Sequence, residues 1–224
     1  GSVMGWRGAF FCLVPVAAIA LVWQWVSLPA MRAQGRPPGS GNVFKVLKSR
    51  PVALGMAACG AFFMGQFALF TYVRPFLETV TRVNVSTLSL ILLVIGVAGL
   101  VGTALIGPVL RRGLYQPLIG IPVLMAVIAV ALIPFGAWVL AVVMLLGLWG
   151  LMATAAPVGW WSWIAEAMPN NAEAGGGLMV AVIQLAIALG STMGGLLFDS
   201  IGYRSTFAAS SAVLLLGAFL AFLA

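Results

Sequence analysis

The sequence contains no histidine, two cysteines and only four acidic residues among its 224 positions. A metal site or a proton relay built on histidine is therefore excluded. Cys12 and Cys59 lie in separate apolar runs, too far apart to suggest a metal or redox motif. Charged residues make up 7% of the chain, whereas a soluble domain carries roughly 25%. Since so few charges cannot cover a globule in water, we expect lipid to face most of its surface.

Long apolar runs take the place of the missing charges. Hydrophobic residues make up 63% of the chain and its mean hydropathy is +1.16. A membrane-crossing helix needs ~20 apolar residues, so each charge-free run can cross once. The longest run contains a turn signal, Pro134-Phe135-Gly136, and can cross twice. The sequence therefore predicts an all-α, polytopic membrane protein with about seven transmembrane helices. The charge-free runs are 8–31, 51–73, 83–110, 113–165, 174–198 and 205–224.

The one long polar connection, at 29–50, is basic. It holds Arg32, Arg36, Lys45, Lys48 and Arg50. Basic residues concentrate in cytoplasmic loops, so this segment is predicted to lie in the cytoplasm. It is tethered at both ends and Phe44 is its single aromatic residue, so we expect no nucleic acid as its partner. The lipid bilayer around the apolar runs is the expected partner of the chain.

A short motif occurs near both ends of the chain. Residues 5–10 read Gly-Trp-Arg-Gly-Ala-Phe and residues 202–207 read Gly-Tyr-Arg-Ser-Thr-Phe, each before a long apolar run. A parallel repeat of two six-helix halves would produce this pairing. On this interpretation, residues 1–28 hold the last helix of a first half, 29–50 form the linker and 51–224 form a complete second six-helix half.

Few polar side chains fall at membrane depth, and these are the candidate substrate-binding residues. Gln184 lies ~15 Å into its run, where its amide suits a nucleobase edge or a sugar hydroxyl. An interhelical hydrogen bond explains it equally well. Gln66 has Phe70 and Tyr72 nearby, so an amide and aromatic faces could hold a flat polar ligand. Ordinary packing is the alternative for the aromatic residues.

Arg74 and Trp160 complete the candidate set. Arg74 ends its run directly before Pro75, where snorkelling to the interface is the favoured explanation and attraction of a substrate at a cavity mouth is the other. Glu78, one turn later, could pair with it. Trp160 follows Pro157, a helix breaker that could free backbone groups toward a cavity, although an interfacial aromatic belt also explains tryptophans here. No constellation typical of catalysis appears, so we expect no enzyme activity, metal or cofactor.

Glycines recur at close spacing inside two runs. Gly96, Gly99 and Gly102 form one group, and Gly190 and Gly194 form a small-xxx-small pair. An interior helical glycine costs ~1 kcal/mol relative to alanine. Close helix approach is the simplest compensation.

Several of these motifs together resemble a known family. They are Gly-Trp-Arg at 5–7, Gly-Gln-Phe-Ala-Leu-Phe-Thr-Tyr-Val-Arg-Pro at 65–75, Pro-Val-Gly-Trp at 157–160, Trp-Ile at 163–164 and Ala-Val-Ile-Gln-Leu-Ala at 181–186. The chain resembles the sixth to twelfth helices of the major facilitator superfamily, in its twelve-helix bacterial efflux group of drug:proton antiporters. The resemblance implies a multi-pass protein of the bacterial inner membrane that exports a small solute by alternating access. Proton-coupled efflux of purine ribonucleosides is the expected activity.

The chain departs from that family in its acidic residues. We expect the family's first five helices, with their intramembrane carboxylates, to be missing. All four carboxylates of this chain lie between the apolar runs, at Glu78, Glu166, Glu173 and Asp199. Proton coupling would therefore come from the missing N-terminal half, or be absent. Efflux of sugars or drugs remains an alternative, as does a membrane scaffold or remnant that transports nothing.

Overall fold

The structure is a computed structural model that describes residues 5–27, 49–169 and 171–224. Every regular element in those ranges is an α-helix. In chain order the helices are α1 (Gly5–Ser27), α2 (Arg50–Phe70), α3 (Val73–Thr79), α4 (Val85–Arg112), α5 (Tyr115–Phe135), α6 (Val139–Ala167), α7 (Ala172–Ser200) and α8 (Tyr203–Leu223). The predicted all-α class is confirmed.

The chain divides into two compact units, Gly1–Gly39 and Ser40–Ala224. The first unit contains α1, an apolar helix with Pro15 in its interior. The second unit contains α2 to α8. Most of the predicted basic linker at 29–50, namely residues 29–48, lies outside the described residues.

Six helical segments of the second unit are long and apolar enough to cross a membrane. The first combines α2 and α3 over Arg50–Thr79, and α4 to α8 supply the other five. In α1 the corresponding apolar stretch, Val14–Ser27, is shorter. Together they agree with the predicted polytopic membrane protein of about seven helices.

Large apolar side chains cover the outside of the second unit. Leu100 is 74% exposed, Leu196 is 68% exposed and Phe222 is 71% exposed. In water this surface would be unfavourable by roughly 25 cal/mol for each Å² of apolar area. Contact with lipid tails removes that cost, so the exposure pattern is that of a membrane protein.

Local sequence explains where several helices begin and end. Pro75 has no backbone N–H and its ring excludes a hydrogen-bonded carbonyl four residues earlier, so the chain breaks between α2 and α3 at Thr71 and Tyr72. At the start of α4, Asn84 Oδ1 accepts a 2.8 Å hydrogen bond from the backbone N–H of Thr87. The predicted turn at 134–136 is confirmed, since α5 ends at Phe135.

Helix α2 lies at the centre of the second unit, packed along α7 and α8. Helix α4 packs along α6, and α5 packs on both α8 and α6. The α2–α7 contact is close enough that a Cβ added at Gly190 would meet the carbonyl oxygen of Met64, and one added at Gly194 would meet that of Ala68. The predicted close approach at this glycine pair is therefore present.

The second glycine group behaves differently along its length. A Cβ at Gly99 would lie 2.9 Å from Cγ2 of Thr154, and one at Gly102 would meet the backbone of Leu151. These two glycines allow α4 to approach α6 closely. Gly96, by contrast, faces open space, so the interpretation of close packing is wrong there.

Candidate functional site

Aromatic side chains fill the interior between α2 and α6. Trp160 is only 2% exposed, and its ring centroid lies 6.4 Å from that of Phe62 on α2. Trp163 packs edge-on against Trp160 at 6.0 Å. The Trp163 ring also occupies the space beside Gly55, where a Cβ would overlap it. Trp160 therefore faces the interior of the bundle, and the alternative of an interfacial belt does not describe its position.

Gln66 lies one helical turn beyond Phe62 on the same side of α2. Its side chain is 7% exposed, and its carbonyl oxygen Oε1 has no hydrogen-bond partner within the described part of the chain. A buried polar atom without a partner loses its hydration and receives nothing in exchange, at a cost of ~1–3 kcal/mol. Such an atom is expected to bind a water molecule or a ligand.

A second unpaired polar atom lies on α6. Trp149 is completely buried, and its indole Nε1–H has no acceptor in the described ranges. Trp149 precedes Trp160 by three helical turns, so both rings project from one face. Because Gly55 packs on Trp163 and Phe62 on Trp160, α2 and α6 run antiparallel. Gln66 and Trp149 are then displaced from the Phe62–Trp160 contact in the same direction.

The helical rise gives the spacing of these two atoms along the bundle. Gln66 lies ~6 Å beyond Phe62, and Trp149 lies ~16 Å from Trp160 in the same direction. The free acceptor and the free donor are thus offset by roughly 10 Å along the helix axes. A solute with one donor and one acceptor, separated by flat apolar atoms, has the complementary pattern.

Tyr72 is tied to α7 at the end of α2. Its hydroxyl donates a 3.0 Å hydrogen bond to the carbonyl oxygen of Ser191, and its ring stacks on Phe198 with centroids 5.4 Å apart. Thr71 Oγ1 lies 2.9 Å from Ser191 Oγ. These contacts hold the α2–α3 corner against α7. They give Tyr72 a positioning role in this arrangement, with its hydroxyl already engaged.

Arg74 forms an ion pair with Glu78. Its Nε lies 2.8 Å from the Glu78 carboxylate, one turn away on α3. The two side chains are 72% and 45% exposed, as predicted for a side chain that reaches the interface. The pair places a cation and an anion together at the end of the span, and it lies apart from the buried Trp160.

Phe70 and Gln184 lie outside the buried cluster. Phe70 is 36% exposed at the last residue of α2, with its ring edge-on to Phe67 at 6.2 Å. Gln184 is exposed on α7, and in the described part of the chain its side chain has no hydrogen-bond partner. It lies about 200° around the helix from Val182, which packs near Gly60 of α2. The two glutamines therefore have different surroundings: Gln66 is buried and Gln184 faces outward from the second unit.

Sequence reasoning missed Trp149, Phe62 and Ser191. Trp149 had a signal, because residues eleven apart share a helical face and Trp160 was already a candidate. Phe62 and Ser191 had none, because their roles depend on which helices become neighbours. No group of three or more His, Cys, Asp or Glu side chains that could hold a metal ion occurs among the described residues.

Comparison with known proteins gives the family. The sequence model of the Major Facilitator Superfamily matches residues 1–191, which is most of the chain. The chain therefore belongs to the Major Facilitator Superfamily, and the resemblance recognised from its motifs is confirmed.

Individual relatives carry two different names. A Pseudomonas aeruginosa protein named "Transcription regulatory protein OpdE" is 63% identical over 100% of this chain and 56% of its own length. Proteins named "Purine ribonucleoside efflux pump NepI" from Salmonella paratyphi B and Salmonella typhimurium are each 36% identical over 97% of this chain and 55% of their own length. The chain spans about half the length of the curated relatives it matches.

Proposed function

We propose that this chain is part of a secondary active transporter that exports small polar solutes, and that purine ribonucleosides are its substrates. The observation that carries the proposal is the unpaired, buried carbonyl oxygen of Gln66. In a protein interior, such an acceptor needs a partner that the described helices do not supply, and a bound solute is one partner that a transporter would provide. Membership in a transporter superfamily and the name of the Salmonella relatives give that partner a chemical class.

A purine ribonucleoside matches the described interior in three respects. Its base is flat, so it can stack on aromatic rings such as Trp160 and Phe62. Its amino and hydroxyl groups can donate to Gln66 Oε1. Its ring nitrogens and sugar oxygens can accept from the indole N–H of Trp149. Phe62 and Trp160 pack tightly in this structure, so binding would accompany the change of packing that alternating access requires.

Proton coupling is proposed to depend on groups outside the described helices. The carboxylates Glu78, Glu166, Glu173 and Asp199 all lie within or next to terminal turns of helices. A proton carrier for an exporter is expected near the middle of the membrane. A preceding six-helix half is the proposed source of that group, and the bacterial inner membrane is the proposed location.

The test is an export assay with the protein expressed from its complete gene in cells that are sensitive to a toxic purine nucleoside. Gln66→Leu removes the amide at similar volume, and Trp149→Phe removes the N–H while retaining an aromatic ring. Trp161→Phe, at a half-exposed tryptophan of the same helix, is the matched control. We expect resistance with the wild type and Trp161→Phe and a loss of about tenfold with each of the first two variants, at equal membrane levels.

The outcomes separate the candidate substrates. Unchanged resistance in both Gln66→Leu and Trp149→Phe would contradict this binding site. Export of sugars or drugs, but of no nucleoside, by well-inserted protein would instead support a sugar or drug efflux protein. Gln184→Leu serves as a further comparison, because an effect there would place an exposed α7 residue in the site as well.

The name of the 63% identical relative favours a second candidate, a membrane protein that changes transcription. The described helices have the composition of membrane spans, so such a role would act through a bound or transported solute. Deleting the gene and comparing transcript levels with and without added nucleoside tests this candidate. A change of transcription that survives Gln66→Leu would show that the transcriptional effect does not depend on the proposed solute site.

A further inference from the structure

A groove on the outside of the bundle lies between α4, α5 and α6. Its volume is about 310 Å³, and it runs along α4 from Gly102 to Val109, roughly 10 Å at the helical rise. Leu105 and Leu124 form part of its walls and are 58% and 50% exposed. Its lining is almost entirely apolar, and Gln116 near its end is the exception. A hydrocarbon chain is the occupant that a groove of this chemistry accepts in a membrane.

The helical period places a cation beyond the α4 end of this groove, although it is not one of the residues that line it. Arg112 is exposed in the last turn of α4, seven residues after Leu105 and three after Val109. At 100° per residue, its side chain lies within about 20° of the direction of Leu105 and ~10 Å further along the axis. Measured from the same residue, Leu105, the direction of Arg111 differs by about 120°.

Nothing in the described chain neutralises Arg112. The one ion pair among residues 49–169 and 171–224 joins Arg74 and Glu78. Helix α5 begins beside it at Tyr115, and its N-cap residue, Leu114, makes no side-chain capping bond. The first backbone N–H groups of α5 therefore add hydrogen-bond donors at the same place. An apolar groove that ends at a positive, donor-rich site complements an amphiphile with an anionic head.

We propose that this groove is a binding site for an anionic phospholipid, with an acyl chain along Leu105, Gly120 and Leu124 and its phosphate at Arg112. Basic pockets between helices at the membrane surface bind anionic headgroups in this way. Anionic phospholipid is present in the bilayer at high local concentration, and free phosphate could not fill the apolar part. The proposal is independent of what the protein transports.

Two substitutions test the contact with the lipid headgroup and the contact with the acyl chain separately. Arg112→Gln removes the charge, and Arg111→Gln is its matched control at nearly the same depth, about 100° around the helix and further from the groove. Gly120→Leu fills the groove, because a Cβ at Gly120 meets no atom within 4 Å. Gly107→Leu is its control, since Gly107 also faces open space but projects from the other side of α4.

The measurement is native mass spectrometry of the complete protein, titrated with phosphatidylglycerol or with phosphatidylcholine of the same acyl chains. We expect wild-type protein to retain phosphatidylglycerol in preference. Arg112→Gln should raise the dissociation constant of the most tightly bound phosphatidylglycerol about fivefold, the factor expected for one basic residue at a charged membrane surface. Arg112→Lys should restore most of the binding. Gly120→Leu should remove one bound lipid of either kind, whereas both controls should match the wild type.

Three results would overturn the proposal. They are equal retention of the two lipids, equal effects of Arg111→Gln and Arg112→Gln, or full binding in Gly120→Leu. A thermal melt of each variant checks folding. If Gly120→Leu unfolds, the comparison of the two arginine variants still decides, because both residues are exposed and neither packs in the core.

Discussion

The contact between α2 and α7 predicts different effects for one substitution at two glycines of α7. Gly190→Ala would bring a Cβ into the Met64 carbonyl oxygen, a backbone atom that cannot move without shifting α2. Overpacking of this kind costs ~1–3 kcal/mol. Gly177→Ala adds the same methyl group where no atom lies within 4 Å. There the gain in helix propensity, ~1 kcal/mol, is unopposed.

The propensity gain applies at both positions, so it cancels in the comparison. The two variants should therefore differ in free energy of unfolding by about 1–3 kcal/mol, the overpacking cost alone. Gly177→Ala should be at least as stable as the wild type, and Gly190→Ala should be less stable than Gly177→Ala. The assay is unfolding of the complete protein in mixed micelles of increasing sodium dodecyl sulfate fraction, followed by tryptophan fluorescence.

A replicate at Gly194 strengthens the test, because a Cβ there would meet the Ala68 carbonyl oxygen one turn further along the same contact. Equal unfolding midpoints for Gly177→Ala, Gly190→Ala and Gly194→Ala would refute the reasoning. They would mean that α7 can move away from α2 at no measurable cost.

Two further predictions concern single side chains and use the same unfolding assay. Trp160→Ala should lower the free energy of unfolding by ~3–5 kcal/mol because it leaves a large void beside Phe62. Trp161→Ala, at a side chain that is 46% exposed, should lower it much less. Similar losses for the two variants would contradict the burial of Trp160. Tyr72→Phe should cost ~0.5–1.5 kcal/mol through the lost hydrogen bond to Ser191, and an unchanged midpoint would argue that this bond contributes nothing.

The candidate site was predictable from the sequence only in part. Gln66 was identified because few polar side chains fall at membrane depth, and Trp160 because it follows the helix breaker Pro157; both proved to be buried. Glu78 lies one turn after Arg74, so the sequence allowed the two to pair, and the structure shows the ion pair. Tyr72 and Ser191 are far apart in sequence, and only the packing of α2 on α7 makes them partners.

Two glycines of α4 show the same limit of prediction from sequence. Gly96 and Gly99 have similar sequence surroundings, yet Gly99 touches Thr154 and Gly96 faces open space. Residues three apart on a helix differ by about 60° in direction, which is enough to move a residue from a helix interface to the surface. The sequence carries the period of the helix but not the direction in which a neighbour lies.

The sequence by itself determined that lipid surrounds this protein, that its secondary structure is helical and which family it belongs to. Scarce charge and runs of ~20 apolar residues leave the helix as the structure that satisfies every backbone hydrogen bond in lipid. The tertiary structure decided which helix faces touch. It buried Gln66 while leaving Gln184 exposed, and it formed an apolar groove between α4, α5 and α6. The physical reason is that lipid and protein interior are similarly apolar. Hydrophobicity therefore cannot distinguish an inward face from an outward one, and packing contacts must decide.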